Sequence, residues 1–179
     1  MKLGLWALRT VVGGLFVGHG MQKLAGKFGG HGPDATGQFF ESLGLRPGKT
    51  HALAAGAAEA SGGALIAAGA FTPAASALLS ATMITAIRTV HAPKGPWASE
   101  GGYEYNLVLL AAVFAITDAG PGRLSIDAAR GRERWGLPWA LAQLAAGAAG
   151  SAAAIAYGAS QPTPEAAVAD EQVPLRVAD

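Results

Sequence analysis

Apolar residues in this chain fall into five blocks instead of recurring at the spaced positions of an amphipathic surface helix. Leu3 to Leu24 holds only Arg9, His19 and Lys23 as ionisable residues, and Thr50 to Phe71 only His51 and Glu59. Pro73 to Val90 carries Arg88, while Tyr105 to Thr117 and Leu137 to Gly158 carry no charge. A helix needs about 20 predominantly apolar residues to cross the hydrocarbon core of a bilayer. The first, second, third and fifth blocks reach or approach that length, and the fourth does so when extended back to Gly102. A water-soluble bundle would require a polar face on most of its helices. Between Pro73 and Ile87, however, only Ser76, Ser80, Thr82 and Thr85 are polar, and the last block offers little beyond Gln143 and Ser151. Nearly every helix would have to be central, which a small bundle cannot arrange. The pattern therefore predicts an all-α transmembrane bundle.

The segments between the blocks predict the connections. Thr72 followed by Pro73 reads as an N-cap and first helical position, and hence as a tight turn between the second and third helices. The first connection, from Ala25 to Lys49, is longer. Within it, Phe39, Phe40, Leu43 and Leu45 have the spacing of a short interfacial helix over 34–45. Trp97, Tyr103 and Tyr105 suit the headgroup zone. The fourth connection holds Arg123, Arg130, Arg132 and Arg134, and the Pro-containing, acidic segment after Gly158 reads as a disordered tail. Lys2 ahead of an apolar stretch resembles a signal peptide, but Arg9 splits the stretch and no A-x-A site follows, so a retained helix is expected. The basic residues divide almost evenly between the two sides; the dense 130–134 cluster beside a helix end places the N-terminus in the cytoplasm.

Composition narrows the chemistry. Of the 179 residues 51% are hydrophobic and 14% charged, against about 25% charged in an average soluble domain. Mean hydropathy is only +0.31, because the blocks are rich in Ala and Gly. A net charge of +1 leaves no basic surplus for nucleic acid. The absence of Cys excludes disulfides, thiolate catalysis and Cys-held iron–sulfur or zinc sites. No metal-binding motif, phosphate loop, dinucleotide fingerprint or nucleophile elbow is present.

Alternating helices gather the remaining polar groups. The end of the first helix, the start of the second, the end of the third and the start of the fourth share one membrane face. His19, Lys23, His51, Arg88, His91, Glu100 and Glu104 lie there, with His31 in the loop above. Arg9 and Glu59 lie deeper. Glu59 is about 12 Å along its helix from His51, and Arg9 about 15 Å from His19, so the two are expected to pair at similar depth or Glu59 to be protonated. At about 100° per residue, Arg9, Gly13, Phe16, Gly20 and Lys23 share a stripe, as do Ala52, Gly56, Glu59 and Gly63. Small residues allow close helix approach, so Glu59 should face the bundle interior. Arg88 near a helix end suits the helix dipole. A bis-histidine haem would need His19 and His91 opposed at one depth. A quinone needs an apolar slot with donors, which His19, Lys23, Arg88 and His91 are placed to supply.

Arg9, Gly13-Gly14-Leu15-Phe16 and His19-Gly20-Met21-Gln22-Lys23-Leu24 together resemble the first-helix signature of the DoxX family. Glu59 with Gly62-Gly63 is similar to its second-helix pattern, and Gly120 to Asp127 to the segment closing its fourth helix. The resemblance spans about Leu3 to Asp127. It implies a bacterial inner-membrane protein crossing the bilayer several times, with a four-helix membrane domain over 1–127. A basic loop and additional transmembrane helix follow over 128–158, and a tail over 159–179. It further implies a small redox-associated subunit near the quinone pool, with redox-complex or oligomer partners; most members have no established reaction. Arg9, His19, Lys23 and Glu59 are the positions it singles out, and Arg88, His91 and Glu104 join them from the polar face. A non-catalytic scaffold or assembly subunit, and a small-solute or proton pathway through Glu59, are the other readings. The protein should sediment with membranes after lysis and resist alkaline carbonate extraction; recovery as a surfactant-free aqueous monomer would overturn the bundle.

Overall fold

The structure, a computed structural model, describes residues 3–132 and 134–163. Lys2 and the part of the expected tail from 164 to 179 therefore lie outside the described residues. Helix α1 (Leu3–Ala25) leads to the short α2 (Gly32–Ser42), which Pro33 opens. Helix α3 (Gly48–Ala68) ends at Gly69, whose left-handed backbone (φ 64°) turns the chain into α4 (Thr72–Ala86). From there the rod continues through a π-helical turn (Ile87–His91) and a 3₁₀ turn (Ala92–Lys94). Helix α5 (Glu104–Ala119), the single turn α6 (Ile126–Ala129) and α7 (Leu137–Ser160) complete the chain. Thr72–Lys94, with 23 residues, and α7, with 24, are both long and apolar enough to cross a membrane. The expected interfacial helix is α2.

Burial is inverted relative to a soluble bundle. Arg9, Glu59, Ser76, Ser80, Asn106, Thr117, Gln143 and Ser151 are buried, whereas Leu3, Val11, Leu15, Leu53, Leu78, Val108 and Leu141 are exposed. Such an exterior is solvated by lipid, and the polar side chains become interhelical contacts. Ser80 Oγ donates to Gln143 Oε1 (2.9 Å) between α4 and α7, and the Thr117 and Ser76 hydroxyls lie 2.7 Å apart between α5 and α4. An apolar centre of Val12, Phe16, Ile66, Leu79, Met83, Leu109, Val113 and Ile116 lies among α1, α3, α4 and α5.

Helices α1 and α3 meet backbone to backbone. Gly13 lies against Gly63 and Ala67, and Gly20 against Gly56 and Ala60. These pairs are seven residues apart on each helix, so they lock a single antiparallel register. That register overturns the expected Arg9–Glu59 pair. It brings Gly69 beside Arg9, ten residues and about 15 Å of helix rise from Glu59. The expectation set His51 level with His19. In fact the first two turns of α3 run past the end of α1 and pack on α2, where Gly48 N donates to Glu41 Oε2 (2.5 Å) and Gly37 abuts Lys49.

At the opposite end, the segment after α5 clamps the α3–α4 turn. Arg9 donates a hydrogen bond to the Leu124 carbonyl. The Asp127 carboxylate accepts from Phe71 N, Thr72 N and the Thr72 hydroxyl, each at 2.9 Å. The Asp127 amide donates to Gly69 O (2.9 Å). Thr72 is therefore not the N-cap its sequence suggested. Phe71 occupies that position in a left-handed conformation (φ 48°), and Asp127, from a distant part of the chain, satisfies the free amides instead. A carboxylate does so better than a hydroxyl, since it also complements the positive end of the helix dipole.

Gly20→Leu should destabilise the detergent-solubilised protein by about 1–3 kcal/mol or more through overpacking. A Cβ there would stand 2.5 Å from Ala60 N. Gly14→Ala, which meets nothing within 4 Å, should be neutral or stabilising. Thermal unfolding followed by circular dichroism separates the two. By the same measurement, Asp127→Ala should lower stability by about 1.5–3 kcal/mol, the range for hydrogen bonds to a charged group.

Candidate functional site

The register that separates Arg9 from Glu59 delivers Lys23 to it. Lys23 Nζ lies 2.6 Å from Glu59 Oε2 and 3.4 Å from the carbonyl of His19. The Glu59 side chain is 4% exposed and that of Lys23 21%, so the carboxylate is enclosed and the ammonium reaches toward the helix end. Lys23 sits in the last turn of α1, where a cation also complements the helix dipole. Removing one member of such a pair would leave the other uncompensated, at a cost of about 3–5 kcal/mol.

The pair forms part of the wall of a chamber of about 890 Å³, bounded by α1, α2, α3, α4, α5 and α7 and open to the outside. This volume falls within the ~300–1,000 Å³ typical of small-molecule sites. Ala54, Ala55 and Ala58 of α3, Phe39 and Phe40 of α2, and Leu78, Met83 and Leu109 form apolar walls, and Gly150 and Ala154 of α7 close one side. His19, His51, His91, Asn106, Tyr105 and the α4 threonines Thr82, Thr85 and Thr89 also line it. The π-helical turn places His91 in this wall, a use typical of π-bulges.

Each histidine is tied back to the protein. His19 Nδ1 lies 3.0 Å from Gln22 Oε1, and Gln22 Nε2 donates to Phe28 O (3.0 Å). His91 Nδ1 lies 2.6 Å from Gly101 O. His51 Nε2 lies 3.2 Å from Arg46 O, and its ring rests against Tyr157 with centroids 5.7 Å apart.

Of the seven residues singled out in the sequence, His19, Lys23, Glu59 and His91 meet in this chamber. Arg9 is 2% exposed at the opposite end of the bundle. Arg88 is exposed on the π-helical turn and Glu104 is half-buried in the first turn of α5; neither lines the chamber, so Arg88 supplies no donor there. Sequence reasoning assigned no task to His51 and none to Asn106 or the threonines. The threonine spacing over 82, 85 and 89 does place all three on one helical face, a signal readable in advance. Among the described residues, no group of three or more His, Asp or Glu is arranged to hold a metal ion.

Comparison with known proteins agrees with this architecture. The DoxX family model matches residues 4–92, which cover α1 to α4, the Lys23–Glu59 pair and His91. "Putative oxidoreductase CatD" of Bacillus subtilis (strain 168) is 34% identical over 116 residues, 65% of this chain and 80% of that protein. No solved structure matches. Carried by those helices and by that relative, this all-helical membrane protein belongs to the DoxX family.

Proposed function

We propose that the protein is a small redox-associated subunit that crosses the bacterial inner membrane several times, and that its chamber takes a quinone-class molecule from the bilayer. The observation that carries this reading is the placement of the buried Glu59 carboxylate with its half-buried partner Lys23, and of two tethered histidines, His19 and His91, in the wall of one apolar chamber. Intramembrane ionisable groups are expensive and concentrate where function needs them. The oxidoreductase name of the Bacillus relative points the same way.

The lining fits a flat aromatic ring. Alanines on α3 leave room for it, Phe40 and Leu109 give it apolar surface to lie on, and the polar groups supply orientation at its edge. A quinone, when bound, supplies reversible two-electron, two-proton chemistry. The chain's own part is to hold the ring and to manage protons. Glu59 is kept beside a cation, so its charge is compensated within the chamber wall. His19 and His91 each have one ring nitrogen engaged and the other free to exchange a proton.

The test is chemical extraction. Protein expressed in a quinone-containing bacterium and purified in mild detergent should release quinone in about stoichiometric amount. Ala58→Phe, which fills the chamber, should lower that content at least tenfold with helical content by circular dichroism unchanged. Well-folded protein that neither copurifies with quinone nor takes it up from vesicles would sink the proposal. If such protein still captured a redox partner, the scaffold reading would replace it.

A further inference from the structure

We infer that the chamber discriminates between the two oxidation states of its occupant and prefers the reduced one, an aromatic diol of the hydroquinone class. This rests on the quinone-class reading and adds to it a direction of recognition that the hydrogen-bond roles of the lining carry.

The tautomers are set by the partners. A peptide carbonyl only accepts, so His91 must donate from Nδ1 to Gly101 O, and His51 from Nε2 to Arg46 O. For His19 the assignment takes one more step. Gln22 uses its amide nitrogen on the Phe28 carbonyl, which turns its oxygen toward His19, so His19 Nδ1 must donate as well. In each neutral ring the remaining nitrogen, Nε2 of His19 and His91 and Nδ1 of His51, then carries a lone pair and no hydrogen.

The threonines repeat this logic. Thr82 donates to Leu79 O (2.9 Å), Thr85 to Ala81 O (2.8 Å) and Thr89 to Thr85 O (2.9 Å). Each hydroxyl spends its single hydrogen on its own helix and turns only lone pairs outward. Glu59 is an acceptor by its charge. The donors are few by comparison. Two of the three Lys23 N–H directions are taken by Glu59 and the His19 carbonyl, and one Asn106 amide hydrogen lies against Met83 Sδ (3.4 Å); the third Lys23 N–H, the second Asn106 hydrogen and the Tyr105 hydroxyl remain, three donors against seven acceptor groups.

A wall of acceptors binds a ligand that donates. The diol brings two O–H groups that can be shared among seven acceptor groups, whereas the dicarbonyl brings only oxygens that must find Lys23, Asn106 or Tyr105. Burying an unpaired polar group is unfavourable, and a site built to hydrogen-bond a hydroxyl rejects the analogue that lacks it.

The test uses the full chain in nanodiscs of synthetic phospholipid free of native quinone, titrated anaerobically at pH 8, above the ordinary imidazole range. The probes are 2,3-dimethyl-1,4-naphthoquinone and its reduced diol, alongside an isoprenoid-tailed pair with the same ring. The diol should bind about tenfold tighter than its quinone in whichever pair binds, a preference of one or two hydrogen bonds. Binding confined to the tailed pair marks a lipid source and binding of the tail-less pair a soluble one; the diol preference is required in both. A tenfold preference raises the midpoint potential of the bound couple by about 30 mV for two electrons, which spectroelectrochemistry reads independently. Combining His19→Phe with His91→Phe should bring the ratio toward one, chiefly by weakening the diol. Should that double variant misfold, Thr85→Val, which keeps shape and deletes a lone pair, should lower the ratio about threefold. Equal binding, or tighter binding of the quinone, overturns this inference and leaves the quinone-class reading standing. Failure of both forms to bind overturns both.

Discussion

The glycine seam between α1 and α3 is the contact from which the rest of the arrangement follows. Gly13 against Gly63 and Gly20 against Gly56 admit only one sliding position of the two helices, since a shift by one residue would drive side chains into backbone. That position carries Lys23 onto Glu59 and Arg9 onto the α3–α4 turn. Electrostatics alone would tolerate Arg9 as the partner of Glu59; steric register forbids it. Packing therefore decides which cation is buried beside the carboxylate, and the ion pair is its consequence.

The two ends of the bundle are built for different tasks. At one, Arg9, Leu124, Asp127, Gly69 and Thr72 form a lattice of hydrogen bonds that closes the α3–α4 turn. Arg132 stacks over Phe71 at 4.4 Å and Arg134 over Trp139 at 5.7 Å, and Trp139 is an aromatic of the kind that settles at a membrane–water boundary. At the other end the helices splay around an open chamber, with α2 and the 95–102 loop as its rim. One end is tied down by hydrogen bonds to the turn, although Arg9 Nε and Nη1 stay buried without a partner, and the other gathers its polar side chains around the chamber.

The large-scale reading was legible because it rests on quantities a sequence carries directly. Block length and charge spacing locate the long helices, and the stripes on α1 and α3 predict which residues face inward: Arg9, Gly13, Phe16 and Gly20 are buried, as are Ala52, Gly56, Glu59 and Gly63. What failed was relative height. Counting residues from His19 and His51 assumes that two helices begin level, and nothing in the sequence reports that α3 overshoots α1 to pack on α2. The Thr72 cap failed for a similar reason: a local motif was outcompeted by Asp127, 55 residues away. The chamber required knowing that six helices leave volume between them. The face shared by His19, Lys23, His51 and His91 was visible, but its emptiness was not.

Helix α7 lies outside the stretch matched by the family model, yet it is no ornament on the core. Gly147 sits against Ser80 and Ala81, Gln143 Oε1 accepts a hydrogen bond from Ser80, and Gly158 meets Gly44. Stripped of α7, Ser80 would lose its interhelical partner and turn its hydroxyl back onto its own helix, as Thr82, Thr85 and Thr89 already do, and the cavity would gain a wider sideways mouth into the lipid.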